Sequence, residues 1–174
     1  LSYVSYPITT AVYIERALRN ICNVVTIGPR LPEEYITRWK LENMRLPIVP
    51  HDVDTEFEAG LSQVLHENPE LQSPDLFLWV ESVGGYLPQD INTLACPKAC
   101  YLIDSHISLN AHLEVAALFD FVFIAQRGYL EQFRAVNPNS YWLPLGCDPG
   151  VHQDYKLGRR HNISFVGSVF NGSR

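Results

Sequence analysis

No stretch of the chain strings together ~18 apolar residues, so no membrane span is expected. A basic excess is missing too. Lys and Arg number 13 against 19 Asp and Glu, giving a net charge of -6 and a pI near 5.4. A nucleic-acid partner, which needs a basic footprint, is therefore not expected. The amino terminus has no basic n-region of a signal peptide, since Leu1 opens a strand-like segment. A cytoplasmic location is the expectation. Because Leu1 is not Met, a segment upstream is expected to have been removed. Cysteine is scarce: Cys22, Cys96, Cys100 and Cys147 read as reduced thiols of a cytosolic protein. Cys96-Pro-Lys-Ala-Cys100 has no second Cys/His pair at zinc spacing, so no metal ligation is expected. Without a signal peptide, Asn162-Ile-Ser and Asn171-Gly-Ser read as chance matches to the glycosylation pattern. Repeats and low-complexity segments are absent.

What the chain does have is enough apolar material for a core. Its 174 residues are 47% hydrophobic and 18% charged, which suits one domain and a little over. Its organising stretch is Ala99-Cys-Tyr-Leu-Ile-Asp-Ser-His106. Cys100 to Ile103 are apolar or aromatic without alternation, as in a parallel-sheet strand covered on both faces. The run ends in an acid, a hydroxyl and an imidazole just before a helix start. Ligands of open α/β sheets sit beyond the carboxyl ends of the strands, so Asp104 and His106 are expected at the floor of any site.

The rest of the chain alternates strands with helices. Residues 1–5 read as a first strand and Pro7 as a first-turn helix residue. Ala11, Ile14 and Leu18 share one helical face over 7–20, with Glu15, Arg16 and Arg19 on others. Asn23 to Ile27 makes a second strand, completing a right-handed βαβ unit. Pro32, Pro47 and Pro50 break up residues 30–54, with a short helix expected over 33–42. Thr55 and Glu58 have the spacing of a capping box for a helix over 55–67. Further strands are expected at Leu76–Val80, Phe121–Ile124 and Tyr141–Leu145, each separated by a loop or helix. Leu109, Leu113, Ala116 and Ala117 should face the core from one helix, and Tyr129, Phe133 and Val136 from the next. Residues 146–161 read as a linker, and Ile163-Ser-Phe-Val-Gly167 as a seventh strand. The fold class expected is α/β: a Rossmann-like parallel sheet with helices on both faces. The domain reading is 1–145, a linker over 146–161, and the opening of a second α/β domain over 162–174.

Three stretches together resemble the spore-maturation (CgeB-like) group of glycosyltransferases. They are Asp75-Leu-Phe-Leu-Trp-Val-Glu-Ser-Val-Gly-Gly85, the Tyr101-to-His106 strand end, and Trp142-Leu-Pro-Leu-Gly-Cys-Asp-Pro149 with Ile163-Ser-Phe-Val-Gly-Ser168. The resemblance spans roughly the last 100 residues. It implies the amino-terminal, acceptor-side half of a GT-B enzyme, which transfers a sugar from a nucleotide-sugar donor to an acceptor. Such an enzyme needs no protein-bound metal and no cofactor beyond the donor substrate. It also implies that His106 lies near the transferred sugar, and that Gly167 and Arg174 approach the donor phosphates. The chain departs from many relatives by having Tyr6-Pro-Ile-Thr-Thr10, not a glycine-rich turn, after the first strand. The carboxylates that usually hold the donor lie beyond Arg174, so this length of chain by itself is expected to be inactive.

The candidate residues each have a chemical and a structural reading. His106 either meets a sugar hydroxyl or steadies charge, or it caps the following helix. Asp104 positions an acceptor hydroxyl or acts as its base, or it satisfies backbone N–H groups near a helix start. Gly84 and Gly85, with Glu81 and Ser82, either make room for substrate or form an ordinary turn. Thr9 and Thr10 face the cleft or belong to a first helical turn. Arg159 and Arg160 attract phosphate or stay solvated. The competing functions are a dehydrogenase or methyltransferase, opposed by the missing G-x-G-x-x-G, and a non-catalytic flavodoxin-like binding or regulatory module.

Overall fold

In the computed structural model the described residues are 1–71, 73–158 and 161–163. The expected seventh strand after its first residue, Ile163, together with Gly167, Arg174, Arg159 and Arg160, lies outside them. The helices are α1 (Ala11–Leu18), α2 (Glu33–Arg38), α3 (Leu61–Glu67), α4 (Leu109–Ala116) and α5 (Leu130–Val136). The strands are β1 (Ile27–Gly28), β2 (Val53–Asp54), β3 (Phe77–Val80), β4 (Lys98–Leu102), β5 (Phe121–Ile124) and β6 (Ser140–Trp142). Among the described residues every strand pairing is parallel: β1 with β2, and β3, β4, β5 and β6 in sequence order.

The amino-terminal segment joins the two sheets. Ser2 bridges in parallel to Ile27 on one side and to Trp79 on the other, and Ser5 bridges to Arg30. Ser2 N–H donates to the Leu78 carbonyl at 2.8 Å and Val80 N–H returns to the Ser2 carbonyl at 3.0 Å. On the other edge, Ile27 N–H reaches the Leu1 carbonyl at 2.9 Å and Leu31 N–H the Ser5 carbonyl at 2.9 Å. Across the sheet the order is therefore β2, β1, the 1–5 segment, β3, β4, β5, β6. Chain progress reverses direction between the 1–5 segment and β3. That reversal is the switch point where open α/β sheets place their ligands.

Two apolar layers hold the sheet. One face carries Trp79, Cys100, Leu102, Val122 and Ile124 against Leu61 of α3, Ala116 of α4 and Phe133 of α5. The other carries Tyr3, Val80 and Tyr101 against Ala11, Val12 and Ile14 of α1. Helices thus cover both faces, and the α/β Rossmann-like class read from the sequence is the class observed. No described helix is long and apolar enough to cross a membrane.

Several local expectations are corrected. The capping box at Thr55 and Glu58 does not form. Thr55 N–H instead extends the β1–β2 pairing by donating to the Gly28 carbonyl at 3.0 Å. The helix then starts only at Leu61, behind Gly60 with no side-chain cap. The short strand β2, which the proline-rich stretch concealed, is held there by its pairing with β1. The helix expected over 33–42 divides at Lys40, which takes a left-handed conformation (φ 56°) between α2 and a 3-10 turn over Leu41–Met44. Glu15 is not on a solvated face. It is buried, accepting from Tyr3 Oη at 2.5 Å and from Arg19 Nε at 2.7 Å. Burial first, and the Glu15 contact second, push the Tyr3 phenol well above its ordinary range. On α4 the buried positions are His112 and Ala116, while Ala117 is exposed. On the next helix Phe133 is inward but Val136 is exposed.

Candidate functional site

Parallel strands point their carboxyl ends the same way, so the turns after them collect on one rim. The register fixes which turns are neighbours: Val80 lies opposite Tyr101, Leu102 opposite Ile124, and Ile124 opposite Trp142. Thr9 and Thr10 follow the 1–5 segment. Glu81, Ser82, Gly84 and Gly85 follow β3. Asp104 and His106 follow β4. The fold brings all of these sequence-derived candidates to adjacent turns flanking the switch point.

Their side chains divide by commitment. Ser82 Oγ accepts the Val4 N–H at 2.8 Å, tying the 1–5 segment to the end of β3. Thr9 is buried, and its Oγ1 accepts from Ala11 N–H at 3.4 Å in the first turn leading into α1. Thr10 is exposed and makes no side-chain cap bond. Glu81 is fully engaged within the protein: Oε1 stands 2.9 Å from His112 Nε2, and Oε2 accepts the Ile103 N–H at 2.5 Å. Gly84 (φ 84°) and Gly85 (φ 67°) both need the left-handed region. A Cβ on Gly84 would meet Phe57 at 3.3 Å, whereas one on Gly85 would meet nothing within 4 Å. Open space therefore begins at Gly85.

The turn after β4 is held from several sides. Asp104 has φ 55°, a conformation that costs a non-glycine residue free energy and is enriched at functional sites. Its carbonyl accepts Ile107 N–H at 2.8 Å. Ser105 is fully buried, with its N–H donating to Gln126 Oε1 at 3.3 Å and its Oγ 3.4 Å from His112 Nδ1. The backbone on either side of Asp104 is thus held by Glu81 at Ile103 and by Gln126 at Ser105. Asp104 and His106 themselves are exposed, and their side chains make no hydrogen bond or ion pair to the described residues. A rigid turn presents two uncommitted side chains to the rim. His106 does not cap α4; no side chain caps that helix.

Ser105, His112 and Glu81 stand in the order of a nucleophile, a base and its orienting acid. Ser105 is wholly enclosed, so no substrate reaches it, and the three act as a brace for the turn. Nearby, the Tyr6 phenol is held above its ordinary pKa, by burial first and then by the negative charges of Glu81 and Asp104, against a lowering by Thr9. It stays protonated at neutral pH as a hydrogen-bond donor. His112, Ser105 and Gln126 are the residues that sequence reasoning missed. Leu109, Leu113 and Ala116 gave α4 an apolar face, and nothing in that pattern shows that a histidine beside it reaches across to the end of β3.

A half-open cleft of about 250 Å³ lies elsewhere on the rim, past the end of β2, lined by Asp54, Thr55, Glu56, Gln63 and Glu67 among others. Among the described residues, none of the sequence-derived site candidates lines it. Its Asp54 is held below the usual carboxylate range, chiefly by the hydrogen bond from Arg30. The turn after β4 is open to solvent at Asp104 and His106. Comparison with protein-family models, curated proteins and solved structures gives no match to this chain.

Proposed function

We propose that this chain is the acceptor-side domain of a nucleotide-sugar-dependent glycosyltransferase of GT-B type. The observation that carries the reading is the braced turn after β4. It presents the exposed side chains of Asp104 and His106, on either side of the buried Ser105, near the switch point of a parallel sheet. Sugar transfer asks for a group that orients an acceptor hydroxyl and takes up its proton, and for a donor to the oxygens of the transferred sugar. Asp104 suits the first role and His106 the second, with the Tyr6 hydroxyl as an additional donor. The open space at Gly85 leaves room for the acceptor. The open rim fits a site whose opposite wall is a donor-binding domain. The resemblance of the strand-end motifs to the CgeB-like group supports the same assignment.

The test is transfer from nucleotide sugars by protein that carries both halves of the cleft. His106→Ala and Asp104→Asn should each lower turnover by about 10²-fold or more, the scale of a lost acid–base or charge-stabilising group, with circular dichroism unchanged. Turnover equal to the wild type in both variants would remove these residues from the mechanism. In the isolated chain, acceptor-like sugars should shift NMR signals of His106 and Gly85. Shifts confined to the amino ends of the strands would refute the placement.

A further inference from the structure

We propose that Arg127, seated on the indole of Trp142, is a phosphate-binding station on the same rim. The proposal rests on the glycosyltransferase reading for its biological role. Arg127 follows β5 and Trp142 closes β6, and the Arg127 guanidinium lies 5.2 Å from the centre of the Trp142 ring. The indole is itself fixed, since its Nε1–H donates to the Ala125 carbonyl at 3.2 Å. A guanidinium over an aromatic face spends no N–H on that contact, and its planar fork matches a phosphate.

The contrast with the other rim arginine makes the case. Arg30, after β1, is neutralised by Asp54 through Nε at 3.2 Å and Nη2 at 2.5 Å. Arg127 has no carboxylate within salt-bridge distance among the described residues. It is exposed, and the neighbouring Gly128 has open space where a Cβ would stand. A cation in a chain of net charge -6 that stays unpaired beside a ligand-type rim is available to an anion from outside.

Its location fits the chemistry. Gln126, the preceding residue, bonds Ser105, so Arg127 adjoins the turn that carries Asp104 and His106. Glu81 follows β3 and Asp104 follows β4, whereas Arg127 follows β5, the next strand in the sheet. The rim is thus divided into an acidic side, suited to a hydroxyl giving up its proton, and a cationic side, suited to a group carrying negative charge. Transfer of a sugar from a nucleotide donor breaks the bond from the anomeric carbon to the diphosphate oxygen and forms one to the acceptor oxygen. The acceptor proton passes to a base, and the electron pair stays on the departing diphosphate. A guanidinium beside that diphosphate stabilises the charge it gains.

The probes are inorganic pyrophosphate and orthophosphate, followed by tryptophan fluorescence with sodium chloride at matched ionic strength as control. Wild-type protein should give a saturable change that Trp142→Phe removes. Arg127→Gln should weaken the midpoint at least tenfold, and Arg127→Lys should weaken it less. Tighter pyrophosphate binding assigns the station to the donor diphosphate; tighter orthophosphate binding assigns it to a phosphorylated acceptor. A wild-type response no greater than the chloride control, or an Arg127→Gln titration superposing on the wild type, overturns the station. The outcome is independent of transfer. A titrating station in a protein that transfers no sugar would sink the glycosyltransferase reading alone, and transfer without titration would sink the station alone.

Discussion

A Cβ on Gly28 would lie 2.1 Å from the carbonyl oxygen of Tyr3 and 3.1 Å from His51 Nε2. The β1 backbone can approach the amino-terminal segment only because that position is bare. Gly28→Ala should therefore destabilise the fold by about 3 kcal/mol or more, the level of severe overpacking, measured by urea denaturation. Gly85→Ala meets no atom and should cost only the left-handed backbone penalty, about 1–2 kcal/mol. A larger loss there would show that Gly85 is not at open space. His51 sits in the same tight region, edge-on to Tyr3 at 4.5 Å between ring centres, with neither ring nitrogen hydrogen-bonded. Burial pulls its pKa down, against smaller raising effects from Asp54, Glu15 and the nearby Pro29 and Tyr3 backbone. The unfolded chain binds that proton more readily than the folded one. The stability due to a neutral His51 is therefore complete above about pH 6.5, the unfolded value, and is lost as pH falls toward the folded value. Denaturation midpoints should decline across that window, and His51→Phe should flatten the decline. An unaltered slope in that variant would clear His51.

At the scale of elements, short strands and helices are stitched by buried polar side chains. Asn137 is an example: its Nδ2 donates to the Ala116 carbonyl at 3.1 Å and the Phe119 carbonyl at 2.7 Å, and its Oδ1 accepts Asn139 N–H at 3.0 Å. It links the end of α4 to the turn between α5 and β6. Asn137→Ala should cost about 1–3 kcal/mol, the desolvation penalty of groups left unpaired; a loss below about 0.5 kcal/mol in chemical denaturation would contradict this. Asn137-Pro138-Asn139 was legible as a helix end, since turn residues carry that signal locally. Its bonds to α4 were not, because they depend on a residue 18 or 21 positions away. The failed capping box at Thr55 has the same cause. Its spacing was right, but the N–H of Thr55 had a better partner in Gly28, and tertiary pairing outweighs a weak local preference.

For the whole molecule, stability is concentrated in the centre of the sheet. β4 is paired on both sides over four residues, whereas β1 and β2 share a two-residue ladder at the opposite side. Amide hydrogen exchange should be slowest at Cys100, Tyr101 and Val122 and faster at Val53 and Thr55. Equal protection across the sheet would show that it opens only as a unit.

The sequence by itself determined the strand and helix alternation, and with it the parallel α/β class. Unbroken apolar runs such as Phe77–Val80 and Val122–Ile124 suit burial between two covered faces, although Leu76 and Phe121, expected to be buried with them, are exposed. It also placed polar residues at strand ends, where such sheets gather chemistry. Tertiary structure alone decided that residues 1–5 lie between β1 and β3, that β2 exists, and that Glu81, Ser105 and His112 brace one turn. Those contacts join positions far apart along the chain, through hydrogen bonds and packing that no local periodicity encodes.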